Sequence, residues 1–118
     1  MNKAMEAALN EQIKLELSSA YTYLGMAAYC EAANFPGMAH WLEVQAKEEL
    51  GHAMKFYGHV NERGGRVALQ AIPEPVCDYA SPLAVFEAVL AHEQKVTASI
   101  HKLYALAVEE KDYASIPL

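Results

Sequence analysis

The chain has only two cysteines in 118 residues, Cys30 and Cys77, and no CxxC pair. That excludes a disulfide-stapled scaffold and a thiolate metal site, both of which need several spaced cysteines. It points to free thiols in a reducing cytoplasm, with a single Cys30–Cys77 bridge left open. Basic residues are also scarce: nine Lys and Arg face fifteen Asp and Glu, a net charge of -6, and no basic run exists. Nucleic acid is therefore not an expected partner. No apolar run approaches the roughly 18 residues a membrane span needs. The N-terminal stretch MNKAMEAALNEQIKLEL lacks an apolar h-region and a small-residue cleavage site, so it does not read as a signal peptide. Repeats at solenoid periods and low-complexity segments are missing too.

What is present is helix. Apolar residues make up 53 % of the chain, enough for one core, and the length suits one domain. Helix one is expected from about Met5 to Ala33, where Asn34-Phe35-Pro36-Gly37 breaks it. Helix two is expected from about Met38 to Arg63, stopping at Gly64-Gly65. Arg66 to Ala80 contains Pro73 and Pro75, has no helical period, and reads as a strand-free connection. Ser81-Pro82 is an N-cap with proline at the first helical position, opening helix three to about Glu110. The fold class expected is all-α, an up-down bundle with one long crossover.

The short first link makes helices one and two antiparallel. The long second link, about 15 residues, can span roughly 50 Å. That is enough to travel a helix of about 40 Å, at ~1.5 Å per residue, so helices two and three should be parallel. Glu49 lies 11 residues after Met38 and Glu93 lies 11 after Pro82, which puts them at equal depth. Glu16 lies about 17 residues before the end of helix one and is expected one to two turns out of register.

Three apolar stripes at helical spacing are each interrupted by one carboxylate. Leu9, Ile13, Glu16, Ala20, Tyr23, Ala27 and Cys30 form the first. Leu42, Ala46, Glu49, Ala53, Phe56 and Val60 form the second, and Phe86, Leu90, Glu93, Thr97, Ile100 and Tyr104 the third. Such stripes turn inward. A lone inward Glu is more often a side chain reaching the bundle edge, but three at mid-helix imply a shared cation. His52 follows Glu49 by three residues, on the same helix face. Glu-x-x-His with single Glu residues from other helices is the di-iron carboxylate pattern. Carboxylates with imidazole suit iron or manganese better than Mg²⁺ or Ca²⁺.

Glu49, between the other candidates, is the natural bridge. Tyr23 shares the stripe of Glu16 and reads equally as a partner of the site or as a core tyrosine. Glu48 reads equally as an accessory ligand or a solvated side chain. His92 and Gln94 are expected at the surface. His40, His59 and His101 show no partners, and Trp41 and Tyr57 read as packing residues.

The segments ELSSAYTYLGMAAYC, AKEELGHAMKFYGHV, DYASPLAVFEAVLAHEQKVT and KDYASIPL resemble the first three helices of a bacterial non-haem ferritin. The resemblance implies a four-helix subunit, a homo-oligomeric 24-subunit hollow cage, and oxidation of Fe²⁺ with storage as ferric mineral. It implies that Glu16, Glu49 and His52 hold one iron and that Glu49 and Glu93 hold a second. Glu48 would serve a third, outer position, and Tyr23 would stand beside the centre. The related bacterioferritins carry a methionine after the bridging Glu to ligate haem; here that residue is Leu50, so haem is not expected.

One departure is large. The chain reaches Ile116-Pro117-Leu118 where a fourth helix would begin. Three amphipathic helices leave an apolar groove, from which self-association with another copy, or disorder at the C-terminus, is expected. Two other readings stay open: a self-associating helical module without catalysis, and a short protein that completes its di-iron site across a dimer interface.

Overall fold

Each helix begins and ends on a local signal. In the computed structural model, which describes residues 1–117, α1 spans Lys3–Ala32, α2 Pro36–Glu62 and α3 Pro82–Glu109. A single 3-10 turn follows at Tyr113–Ser115. Leu118, the last residue of the KDYASIPL segment, lies outside the described residues. Asn2 caps α1, its Oδ1 accepting from the backbone N–H groups of Ala4 at 2.8 Å and Met5 at 3.2 Å. Ser81 caps α3 through its Oγ, and Pro82 follows as the sequence implies. All three helices end in the same way. Asn34, Gly64 and Lys111 have positive φ, and the next N–H reaches back to the carbonyls of Cys30, Val60 and Ala107. This left-handed stop satisfies the last helical carbonyls, most cheaply with the glycine at position 64.

The expected topology is present. Along α1 and α3, Tyr23 meets Glu93, Ser19 meets His92, Gln12 meets Ser99 and Asn2 meets Glu110. Those two helices are thus antiparallel, α1 and α2 are antiparallel across their short link, and α2 is parallel to α3. The connection between α2 and α3 is strand-free and runs along α1. It starts where Asn10 bonds the backbone of Arg66 and Ala68, passes Gly25, and ends where Tyr79 meets Tyr29 edge-on.

At Gly25 the approach is so close that a Cβ would stand 2.3 Å from the Val76 carbonyl oxygen and 3.2 Å from the Pro75 side chain. Gly25→Ala is therefore expected to destabilise the fold by about 1–3 kcal/mol and to expose the connection to protease. Thermal unfolding and limited proteolysis check this; an unchanged melting temperature would mean the connection is only loosely held.

The core falls into two clusters. One contains Tyr23, Met26, Leu42 and Val85; the other contains Met5, Leu9, Phe56, Val60 and Ala107. Between them lies the level of Glu16 and Glu49. The first two stripes point inward as expected, Ala20 alone being only half-buried. The third does not. Phe86, Leu90 and Tyr104 are 55 %, 63 % and 54 % exposed, whereas Val85, Val89 and Ala107 of α3 are buried. The reason is tertiary: α1 packs against α2 and α3, but α2 and α3 barely touch. The expected stripe of α3 faces the groove between them.

The lower end is tied by a polar network. The Arg63 guanidinium donates to Asp112 at 2.7 Å, Ser115 donates to Asp112 at 2.9 Å, and His59 Nε2 lies 2.8 Å from the Ser115 hydroxyl. His59 thus has a partner that the sequence did not disclose. Cys30 is buried and Cys77 exposed, and both are free thiols. Among the described residues, no helix is long and apolar enough to cross a membrane.

Candidate metal centre

Glu16 of α1 and Glu49 and His52 of α2 converge at the floor of the groove. Ligand atoms from all three lie within 4.8 Å of one another. His52 Nδ1 stands 3.7 Å from Glu16 Oε2 and 3.5 Å from Glu49 Oε2. The register offset expected for Glu16 is absent. Its origin is an error of helix ends: α1 stops at Ala32 and α2 starts at Pro36, earlier than Met38. Glu16 then lies 16 residues before the end of α1, and His52 lies 16 after the start of α2.

Glu93 of α3 lines the same cleft, of about 210 Å³, with Glu16, Glu49, His52, Phe56 and Ile100. The equal depth of Glu49 and Glu93 follows from the parallel helices. The Tyr23 hydroxyl donates to Glu93 Oε1, which ties the tyrosine to this carboxylate. Burial, and then the hydrogen bond to Glu93, push the Tyr23 phenol above its ordinary range. Glu48 is exposed on α2, outside the three-residue cluster.

Glu16 and Glu49 are 1 % and 6 % exposed, and the Oε2 atom of each is buried without a hydrogen-bond partner. Two buried carboxylates side by side repel unless a proton or a cation lies between them. Burial, then the adjoining Glu16 carboxyl and its charge, raise the Glu49 carboxyl to about 8; Glu93 adds to this and His52 opposes it. A pair of orphaned acidic oxygens beside an imidazole nitrogen, open to a cleft on one side, is a donor set suited to a divalent first-row metal.

The raised value fixes the sign of a pH effect. With the folded value of Glu49 near 8 and an ordinary value of 4.5, its stabilising protonation is fully present below pH 4.5 and is lost as pH rises through 8. Metal must displace that proton. Binding at pH 7 is therefore expected to release about one proton per chain from this group, with little released at pH 9, and affinity should rise with pH up to about 8. Calorimetry in buffers of different ionisation enthalpy measures the release; none at pH 7 would refute the buried, protonated carboxyl.

Two neighbours of the site, Gln12 and His92, are not marked by the sequence pattern. Gln12 is buried, donates to Glu16 Oε1 at 3.1 Å, and accepts from Ser99 at 2.8 Å. His92 is half-buried rather than at the surface: its ring meets Tyr23 edge-on, and its Nε2 lies 2.8 Å from Ser19 Oγ. Burial lowers the His92 value, against the nearby charges of Glu93 and Glu49. Gln94 is exposed, as expected, and His40 and His101 are exposed too. The spacing of Gln12 to Glu16, one helical turn, was the available signal. The partners of His92 lie on another helix and left none.

Residues 6–118 match the ferritin-like domain. The chain belongs to the ferritin-like family. It is 42 % identical over 116 residues to a bacterial non-heme ferritin of Staphylococcus saprophyticus, covering 98 % of this chain and 70 % of that protein. A bacterial non-heme ferritin of Staphylococcus aureus is 38 % identical over the same shares. Among solved structures, an open pore ferritin from the hyperthermophilic archaeon Archaeoglobus fulgidus superposes with a TM-score of 0.96 at 48 % identity, over 99 % of this chain and 71 % of that one. A closed form of the Archaeoglobus fulgidus ferritin, engineered by site-directed mutagenesis, gives the same values. The ferritin-like architecture read from the sequence is thus the observed one, and iron storage is the function this membership supports.

Proposed function

We propose that this ferritin-like chain binds Fe²⁺ as substrate at a di-iron carboxylate centre, oxidises it with O₂, and passes the ferric product to storage. The observation that carries this reading is the pair of buried, unpartnered Oε2 atoms of Glu16 and Glu49 beside His52. Glu16, Glu49 and His52 hold the first ion. Glu49 and Glu93 hold the second, with the Tyr23 hydroxyl on Glu93 able to release or move a proton there. Glu48, exposed on the same helix, serves an outer position. The two Fe²⁺ give up one electron each, and O₂ takes both with two protons and leaves as H₂O₂. Anionic oxygen donors stabilise Fe³⁺ over Fe²⁺, so the ligand set makes the iron easier for O₂ to oxidise. The exposed side of His52 leaves a route for iron to enter.

The proposal includes self-association, in the 24-subunit cage that the resemblance implies or in a pairing that covers the groove. Exposed Phe86, Leu90 and Tyr104 support it, because contiguous apolar surface of this kind favours a partner. The test is absorbance after rapid mixing of two Fe²⁺ per chain with oxygenated buffer, in the parent and in Glu49→Ala. The parent should form ferric species quickly and the variant at the rate of iron in buffer. Equal rates would leave only the alternative reading, an assembly module without catalysis. Analytical ultracentrifugation reads the assembly.

A further inference from the structure

Behind the candidate ligands, on the side of α1 turned to α3, a one-way chain of donors ends on Glu16. Ser99 Oγ donates to Gln12 Oε1 at 2.8 Å, and Gln12 Nε2 donates to Glu16 Oε1 at 3.1 Å. Gln12 is 5 % exposed and Glu16 1 %, so water does not compete for the bond between them. The direction is fixed by chemistry. The amide nitrogen, a donor only, faces Glu16, and the amide oxygen, an acceptor only, takes its hydrogen bond from Ser99. The other oxygen of Glu16, Oε2, is left without a partner and lies 3.7 Å from His52 Nδ1.

We propose that Gln12, anchored by Ser99, is a positioning residue: it holds Oε1 of Glu16 and thereby presents Oε2 alone to the metal. The inference rests on the reading of Glu16, Glu49 and His52 as ligands. It assigns roles to two residues, one on α3, that touch no metal themselves. Without the amide, Glu16 can rotate and its Oε1 is orphaned in an apolar layer. Partners behind a ligand of this kind are worth about 10- to 100-fold in metal affinity. The anchor also couples α3 to the site, because a shift of Ser99 releases Gln12.

The experiment compares Co²⁺ binding by the parent, Gln12→Leu, Ser99→Ala and Glu49→Ala, by titration and by the visible spectrum of the bound ion. Gln12→Leu keeps the packed volume and removes only the amide. It is expected to lose about 10- to 100-fold in affinity and to shift the Co²⁺ spectrum, as Glu16 changes its mode of binding. Ser99→Ala, at a half-buried position where folding is not at risk, should show a smaller loss in the same direction. A lowered melting temperature of the metal-free variants with unchanged affinity and spectrum would reduce Gln12 to a packing role and overturn the proposal. If instead the parent binds no better than Glu49→Ala, the metal centre itself is wrong and the positioning role falls with it. A parent that binds while Gln12→Leu binds equally well sinks only the positioning role.

Discussion

Glu49→Ala is expected to abolish divalent-metal binding at the whole site, while Glu93→Ala leaves one ion per chain. Glu49 lies between the two groups: His52 Nδ1 is 3.5 Å from its Oε2, Glu93 lines the same cleft, and the charge of Glu93 acts on its carboxyl. Its removal takes a ligand from each position. It also leaves Glu16 buried with only its Gln12 bond. Glu93, by contrast, is half-buried and already engaged with the Tyr23 hydroxyl, so its loss spares Glu16, Glu49 and His52. Equilibrium dialysis with Co²⁺ or Zn²⁺ should give two ions per parent chain, none for Glu49→Ala and one for Glu93→Ala. Metal uptake by Glu49→Ala equal to that of the parent would remove the bridging assignment.

The second large effect is on stability. The metal-free fold carries two adjoining buried carboxylates with orphaned oxygens, which is unfavourable in a layer that otherwise separates two apolar clusters. A bound cation neutralises them and binds only the folded state. At a hundredfold excess over the dissociation constant, this stabilises by about 2.7 kcal/mol. For a chain of this size, that raises the melting temperature by roughly 10 °C. The increment should be larger at pH 8 than at pH 5, because the proton on Glu49 already relieves the repulsion in acid. Differential scanning calorimetry with and without Co²⁺ reads the shift, and Glu49→Ala should show none. A parent whose melting temperature ignores the metal would mean that the carboxylate pair does not take up a cation.

Much of this was legible along the chain because its determinants are local. Helix limits follow from Asn34-Phe35-Pro36-Gly37, Gly64-Gly65 and Ser81-Pro82, which act within a turn of the helix ends they mark, whereas the Asn2 cap and the left-handed stop at Lys111 were seen only in the structure. The topology follows from link lengths. Glu16, Glu49, His52 and Glu93 stand out because a charge in an apolar stripe is costly wherever the helix packs. Glu49 and His52 share a face by spacing alone. The register of Glu16 differs from the expectation because two helix ends lie one and two residues earlier, and at ~1.5 Å per residue those three residues move the expected ligand by most of a turn.

Periodicity gives the angle at which a stripe lies on its own helix, and not which neighbour that stripe will meet. On α3 the most apolar stripe, Phe86, Leu90, Ile100 and Tyr104, faces the groove, while the flanking Val85, Val89 and Ala107 pack on α1. His92 and Ser99 gained their partners, Ser19 and Gln12, only through the antiparallel docking of α3 on α1. The sequence by itself determined three helices, their order and the acidic residues that interrupt their apolar stripes. Tertiary structure decided which face of α3 is buried, brought Glu16 level with His52, and set Gln12 and His92 behind the site. The physical reason is that caps and stripes act within one or two turns, whereas hydrogen bonds between residues seventy or more positions apart exist only once helices have docked.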